Sequence, residues 1–539
     1  MPLILALDQS TSATKAVLFD ATGRVLDRAA RNHKQIYPRP GWVEHDANEI
    51  WRNVLAVIRE IAERNRKKLN QLACLSLTNQ RETILVLDRA TGQPLHHALV
   101  WQDRRGDPIC RKLRRQGREK LVAGKTGLKI DTYFSASKLK WLVTEKPGLA
   151  AKLKSGDAVI GTIDAYLVHR LTGGKVFATD YTNASRTLLF DIGQLRWDEE
   201  LCALFDVPPG ALPEVRESAA QFGDTDAAGA LPKRVPIVGV MGDSQASLFA
   251  QRCYRPGMAK ATFGTGTSVL LNVGNRFRGV HAAGVSFSAA RRKLRSTNFP
   301  TNEGMAMDNG VSGAPPETAR GPRALPANQG AVVALAWVWQ GQPTYACEGI
   351  INFSAATIEW LKNQLGLIQN VSEVEALATS VADNGGVYLV PAFAGLSAPY
   401  WSPDARAALV GMTAHTRREH VVRAALESIA YQIRDVLDMM RADAKIKLHA
   451  LHADGGPTRN QFLMQFTADL AGAELRVSEV AESSAWGAAM NGLLGLRLCK
   501  SLDDLATLPS EMKIFRPRMN AARVKQLHQG WLAAVKRVL

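Results

Sequence analysis

Short apolar runs alternate with amphipathic stretches along most of this chain. Residues 3–7 and 15–19 are apolar runs of strand length around a polar turn, and Gly23-Arg24 turns the chain again before Val25-Leu26. Asp46-Ala47-Asn48-Glu49 reads as a capping box opening a helix whose Ile50, Val54, Val57, Ile58 and Ile61 follow helical spacing. Residues 72–77 predict a strand ending in the polar loop Thr78-Asn79-Gln80-Arg81-Glu82, and residues 235–240 a buried strand running into Gly242-Asp243. Between 421 and 440, Val422, Leu426, Ile429, Ile433, Val436 and Met440 form the stripe of a long amphipathic helix. Residues 447–453 predict a strand that breaks at Asp454-Gly455-Gly456-Pro457 before a helix near Asn460. Strands and helices interleaved in this way predict an α/β fold.

One stretch breaks the pattern. Residues 281–330 hold five prolines, six glycines and the cluster Arg291-Arg292-Lys293-Leu294-Arg295, and read as a flexible insert between strands at 269–273 and 332–337. A chain of 539 residues is long enough for two large units and buries a sizeable core without disulfides or metals. Its composition, 46% hydrophobic and 22% charged, excludes a fibrous or wholly disordered protein. Cys74, Cys110, Cys202, Cys253, Cys347 and Cys499 are scattered with no C-x-x-C pair, which predicts buried free thiols in a reducing compartment. The opening apolar run lacks the basic flank and length of a signal peptide, and no stretch approaches the ~20 apolar residues of a membrane span. The expectation is a cytoplasmic protein.

The net charge of +17 is compatible with a nucleic acid, an anionic membrane surface, an anionic substrate, or surface composition alone. Residues 281–330 carry six basic and three acidic side chains, and residues 496–539 nine and three, so +9 of the excess lies where no motif is found. Surface composition is therefore the expectation, with no nucleic-acid partner.

Three motifs offer chemistry. In Asp8-Gln9-Ser10-Thr11-Ser12-Ala13-Thr14-Lys15 a strand-end carboxylate is suited to Mg²⁺, and a hydroxyl-rich turn and a lysine are suited to phosphate; an ordinary hairpin accounts for the same residues. In Gly242-Asp243-Ser244-Gln245, followed by Thr262-Phe263-Gly264-Thr265-Gly266-Thr267, Asp243 is placed as a base or metal ligand, or equally as a helix cap. Asp454-Gly455-Gly456-Pro457-Thr458-Arg459-Asn460 suits a nucleotide, or is a plain strand-to-helix turn. A phosphate motif in each half and a later glycine-rich turn together follow the logic of actin-like ATPase cores.

Longer stretches make the chain resemble the FGGY carbohydrate kinases, especially their glycerol-phosphorylating members. Tyr133-Phe134-Ser135-Ala136-Ser137-Lys138-Leu139-Lys140-Trp141-Leu142-Val143-Thr144-Glu145 fits the family's first signature, and Ala407-Ala408-Leu409-Val410-Gly411-Met412 with His420-Val421 and Ala424-Ala425-Leu426-Glu427 fits the second. Gly41-Trp42-Val43-Glu44-His45-Asp46, Thr78-Asn79-Gln80-Arg81-Glu82-Thr83, Thr179-Asp180-Tyr181-Thr182-Asn183-Ala184-Ser185-Arg186-Thr187 and Ala398-Pro399-Tyr400-Trp401 add to the likeness.

The resemblance implies two actin-like (ribonuclease H-like) domains around a catalytic cleft: residues 1–250 for substrate and phosphate, residues 251–495 for the nucleotide, then a basic C-terminal extension, 496–539. It implies ATP and Mg²⁺ as cofactors, a small polyol or sugar as substrate, and the option of a homo-oligomer. Arg81, Glu82, Trp101, Tyr133 and Asp243 map onto the polyol site, with Asp243 as general base. An Arg donor beside a Glu acceptor suits a pair of hydroxyls. Asp8 and Asp243 map onto the metal site. Thr11, Ser12, Lys15 and Thr265 map onto the phosphate path, and Ala355, Glu359, Gly456 and Asn460 onto the rest of the nucleotide site. Departures from the family pattern bear on substrate choice. Ser244 stands where Gln is usual, and Ser268 where a Phe packs on the glycerol carbons. Burying a Phe is worth about 1.5–3 kcal/mol, and a serine opens space and adds a hydroxyl. Lys15, Ala355 and Glu359 replace the usual Arg, Gly and Gln. Glycerol is thus the leading substrate, with erythritol, threitol, ribitol, xylulose or ribulose as alternatives. A non-catalytic actin-like binding protein is the alternative of another class.

Overall fold

The computed structural model describes residues 1–275, 331–402, 404–479 and 482–539. The segment read as a flexible insert, 281–330, lies outside them. Two mixed sheets organise the chain. The first has six strands, in the order Gln221–Thr225, Val235–Gly242, Leu72–Asn79, Leu3–Gln9, Ala13–Asp20, Val25–Asn32. The second has seven: Val332–Trp339, Gln342–Ile351, Thr267–Gly274, Met258–Phe263, Ala450–Asp454, Glu474–Ser478, Met512–Phe515.

The sheets repeat one plan. In the first, Leu3–Gln9 pairs antiparallel with Ala13–Asp20 on one side and parallel with Leu72–Asn79 on the other. In the second, Met258–Phe263 pairs antiparallel with Thr267–Gly274 and parallel with Ala450–Asp454. The tight turns after Gln9 and after Phe263 are therefore equivalent, and each lies at the carboxyl edge of its sheet, where ligands of open α/β sheets bind. Parallel register sets Asp8 beside Thr78, Gly242 beside Asn79, and Thr262 beside Asp454.

Central strands are buried on both faces, which is why residues 3–7 read as a continuous apolar run. A third apolar cluster joins the halves. It packs Ile4, Ala6, Val17 and Phe19 with Leu248 and Phe249 of helix Asp243–Ala250 and with Trp486, Met490 and Leu493 of helix Ser483–Gly495. That last helix lies in sequence between two strands of the second sheet, Glu474–Ser478 and Met512–Phe515, yet packs on the first. All six cysteines are buried and unpaired, as the spacing predicts. Among the described residues no helix is long and apolar enough to cross a membrane.

Local differences have physical causes. Asp46 caps helix Ala47–Arg64 by accepting the Asn48 N–H, but Glu49 accepts the Lys34 N–H instead of closing the capping box. The strand expected from 447 begins at Ala450, because Lys445 turns left-handed (φ 53°) and sheet pairing starts only at Met258 opposite Ala450. Residues 496–539 are built in: Met512–Phe515 is the outer strand of the second sheet, and helix Ala521–Lys536 buries Leu527, Trp531, Ala534 and Val535.

Candidate active site

Asp8 is the last residue but one of strand Leu3–Gln9 in the first sheet, buried, opposite Lys15 in the antiparallel register. Its carboxyl is pushed up to about 6 by burial, against the pull of Lys15 and with help from the negative charges of Glu482 and Asp243. Lys15 Nζ lies 3.7 Å from Asp8 Oδ2 and donates to Glu482 Oε2 at 2.7 Å. Burial works against the Lys15 charge, yet Asp8 and Glu482 leave its pKa raised. Glu482, at φ 65° just before helix Ser483–Gly495, is a member of this cluster that the sequence reading missed.

The Ser10-Thr11-Ser12 turn is fixed from behind. The Thr11 carbonyl accepts from Gln35 Nε2 (2.8 Å), and Thr11 Oγ1 accepts from Trp101 Nε1 (2.9 Å). Ser12 is exposed at the turn's tip.

Arg81, Glu82, Trp101, Tyr133 and Asp243 converge. Glu82 has φ 61°, uncommon outside glycine, and Ser135 Oγ donates to its carbonyl at 2.9 Å. This turn aims Arg81 toward Asp243: Nε lies 3.2 Å from Asp243 Oδ1. The guanidinium also donates to Glu348 Oε1 (2.8 Å) and Gln245 Oε1 (3.2 Å). Glu82 is held by Arg186 Nε at 2.6 Å, and Arg186 Nη2 lies 2.5 Å from Glu348 Oε2. Arg81 and Glu82 are thus not a simple pair, being 4.0 Å apart, but two members of a buried network with Arg186 and Glu348. Burial alone would raise Glu348, but Arg186 and Arg81 hold it down at about 2. Trp101 and Tyr133 pack with ring centroids 5.3 Å apart, offering apolar faces beside these charges. Burial raises the Tyr133 hydroxyl, and the Glu82 charge adds to it.

Asp243 opens helix Asp243–Ala250, its side chain 36% exposed and its Oδ1 accepting the Ser244 N–H at 2.6 Å. Ser268 Oγ lies 3.4 Å from Glu348 Oε1, so a hydroxyl closes this side of the cluster. Among the described residues no group of three or more His, Cys, Asp or Glu is poised to hold a metal.

The nucleotide candidates gather around the second turn. Ser354 and Ala356 N–H donate to the Thr265 carbonyl, and Ala355 N–H to the Gly264 carbonyl, so helix Ala355–Asn363 starts against this turn. Thr265 is exposed, and Glu359 lies one helical turn beyond Ala355. Gly455 takes φ 101°, and a Cβ there would strike the Phe263 carbonyl; this close approach sets the Gly456 turn beside the Thr265 turn. Asn460 caps helix Gln461–Ala471, its Oδ1 accepting the Leu463 N–H at 2.8 Å. A cavity of about 270 Å³ lined by Lys15, Arg28, Arg31, Glu60 and Glu482 is bordered by none of the polyol candidates.

Residues 3–250 match the model of the FGGY family of carbohydrate kinases, N-terminal domain, and residues 323–496 match its C-terminal domain. The chain belongs to the FGGY carbohydrate kinases. Glycerol kinase 1 of Thermotoga maritima is 42% identical to this FGGY kinase over 536 residues, covering 99% of each chain. The glycerol kinase of Rhodospirillum rubrum is 42% identical over 538 residues, covering 100% of this chain and 99% of its own. Among solved structures, Plasmodium falciparum glycerol kinase with ADP superposes with a TM-score of 0.86 at 33% identity, covering 100% of this chain and 98% of its own. A gluconate kinase from Lactobacillus acidophilus shares the fold, with a TM-score of 0.82 at 19% identity, covering 99% of this chain and 98% of its own. The fold is that of the two-domain, actin-like FGGY kinases, as expected from the sequence.

Proposed function

We propose that this FGGY kinase transfers the γ-phosphoryl group of ATP to a terminal hydroxyl of glycerol, giving glycerol 3-phosphate. The observation that carries this reading is the convergence of Arg81, Glu82, Trp101, Tyr133 and Asp243 on one cluster, in a chain similar to glycerol kinases over its full length. Trp101 and Tyr133 face the C–H side of the polyol, while Arg81 donates to and Glu82 accepts from its hydroxyls. Asp243, half-exposed at the start of its helix, takes the proton of the attacking hydroxyl. The Ser10–Ser12 and Gly264–Thr265 turns, with Lys15, orient the phosphates. Phosphoryl transfer asks mainly for such positioning and charge neutralisation.

The carboxylates fit Mg²⁺. Asp8 is buried, disfavours ionisation, and feels Asp243 and Glu482 as neighbouring negative charges, an arrangement that a divalent cation relieves. Asp8 and Asp243 would hold it, leaving its other positions to phosphate oxygens and water. When bound, Mg²⁺ neutralises phosphate oxygens as charge shifts during transfer.

One observation favours a longer acceptor: the Ser268 hydroxyl beside Glu348 makes a polar wall, where extra carbons with hydroxyls find partners. The test is kcat/KM across glycerol, erythritol, threitol, ribitol, xylulose and ribulose. Glycerol is expected to lead; a tenfold lead for another acceptor would move the assignment to it. Asp243→Asn is expected to lower kcat by roughly a hundred- to ten-thousandfold with ATP still bound. Turnover at the parent level would remove Asp243 as the base.

A further inference from the structure

The polar face between the two sheets carries a cation that the proposed chemistry leaves unused. Lys260 lies in strand Met258–Phe263 with no exposed surface. Its Nζ donates to Thr262 Oγ1 at 2.7 Å, two residues along on the same strand face. Thr262 Oγ1 is 3.3 Å from Ser247 Oγ, and Ser247 Oγ donates to Asp454 Oδ2 at 2.8 Å. The other carboxylate oxygen, Asp454 Oδ1, is buried and accepts no hydrogen bond. Burial leaves the Lys260 pKa lowered; Asp454 opposes this most strongly, Arg81 adds repulsion, and Asp243 and Glu348 oppose it more weakly.

The ends of this chain of contacts give it meaning. Ser247 lies one helical turn after Asp243 on helix Asp243–Ala250. Asp454 closes its strand and leads into the Gly455-Gly456 turn, which is pressed against the Phe263 backbone. Four side chains therefore tie the helix of the proposed base to the turn proposed for the nucleotide. A buried carboxylate with one bare oxygen is costly unless a cation accompanies it, and Lys260 is the cation linked to it through Thr262 and Ser247.

We infer that Lys260 is a positioning residue for phosphoryl transfer: through Thr262, Ser247 and Asp454 it fixes the helix of Asp243 against the nucleotide turn. This rests on the reading of Asp243 and of the glycine turn given above. Base and donor must meet in line, and a displacement of about 1 Å costs on the order of a hundredfold in rate. Loss of the lock therefore falls on kcat and on the nucleotide, and spares the polyol.

The test uses the full chain. In Lys260→Met, which keeps length without charge, kcat is expected to fall about tenfold or more. ADP affinity, read by titration calorimetry, weakens by a similar factor, while the glycerol KM stays within threefold. Ser247→Ala keeps both charges and removes only the hydroxyl that links them, and is expected to move kcat and ADP affinity the same way by three- to tenfold. Adding Asp454→Asn to Lys260→Met should cost less than the product of the single losses, because the carboxylate is removed with its partner. A glycerol KM that rises in step with the loss of kcat, additive losses in the double variant, or kcat and ADP affinity within twofold of the parent in both single variants would overturn the inference. If the parent phosphorylates none of the acceptors, the proposed function falls, and the ADP titrations of Lys260→Met and Ser247→Ala still decide the positioning role.

Discussion

A buried ionisable side chain has to be paired or neutral, and this chain uses both solutions within a few residues of its proposed site. Arg81, Glu82, Arg186 and Glu348 are paired. His45 is neutral: its Nε2 meets Gln35 Oε1 at 2.7 Å, so that nitrogen carries the hydrogen, and Gln80 Nε2 faces its Nδ1 at 3.4 Å. Gln35 and Gln80 in turn bond the carbonyls of Thr11 and Ser10, so this neutral imidazole backs the first turn. Burial, then the nearby His33, lowers His45 from 6.5 to about 3. In the unfolded chain the imidazole protonates first as pH falls. The stability that neutral His45 allows is therefore full above pH ~6.5 and lost progressively toward pH ~3. At about 1.4 kcal/mol per pH unit, the loss at pH 5 is about 2 kcal/mol. Asp164, buried beside Asp180 and raised to about 7, has the opposite slope, since it loses stability as pH rises from 3.8. The two effects offset each other in the parent, so the informative quantity is a difference. Between pH 7 and pH 5, urea unfolding of the parent should lose about 2 kcal/mol relative to His45→Gln. A difference that stays flat over that range would mean that His45 is protonated in the fold.

At the scale of elements, glycine contacts decide how the helix of Asp243 is seated. Helix Ser483–Gly495 crosses it, and a Cβ at Gly487 would collide with the carbonyl and Cα of Ala246. Gly487→Ala is expected to cost about 1–3 kcal/mol by overpacking and to lower kcat by displacing Asp243. Gly124→Ala, in helix Glu119–Thr126 with open space around it, should gain about 0.5–1 kcal/mol. Equal behaviour of the two variants in denaturation would show that the helices part without strain. Elements of this kind were legible wherever periodicity was strong. The buried strand Leu3–Gln9, the stripe of helix Arg418–Ala444, the cap at Asp46 and the helix starting near Asn460 all follow from local pattern. Two-residue strands such as Glu44–His45 and Ala98–Leu99 are too short to carry a period. Arg81, Glu82, Trp101 and Tyr133 are reached only through a resemblance spread over the chain, while the local motif of Asp243 offers a base, a metal ligand or a helix cap equally and becomes a polyol-site candidate only through the same resemblance. Glu348, Arg186 and Lys260 escaped notice because their partners are set by cross-strand register and domain contact, which no local window contains.

For the molecule as a whole, the basic C-terminal segment changes meaning once folded. Residues 496–539 carry a net +6, and on sequence alone they read as an appendage. In the fold, Met512–Phe515 extends the second sheet, and helix Ala521–Lys536 turns Leu527 and Trp531 inward while Lys525, Lys536 and Arg537 stay exposed. The charge is thus the solvent face of an amphipathic element, and the apolar face is what the second half needs. Trp531 is fully buried, stacks on Tyr431 with centroids 5.3 Å apart, and donates from Nε1 to Asp435 Oδ2 at 2.6 Å. Asp435 also accepts from Tyr400 at 2.7 Å and meets His528 Nε2 at 2.7 Å, so one carboxylate ties the last helix to helix Arg418–Ala444 and to the loop after Ala398-Pro399. Removing the indole leaves a cavity of aromatic size and takes one donor from a buried carboxylate. Trp531→Ala is expected to cost about 3–5 kcal/mol, with Trp531→Phe losing less because the stacking surface remains. Charge reversal at Lys525 and Lys536 should leave unfolding within about 0.5 kcal/mol, as for surface positions in general. Denaturant titrations of the three variants separate the two faces: an equal loss in all three would make the positive charge, rather than the buried indole, the reason this segment is present.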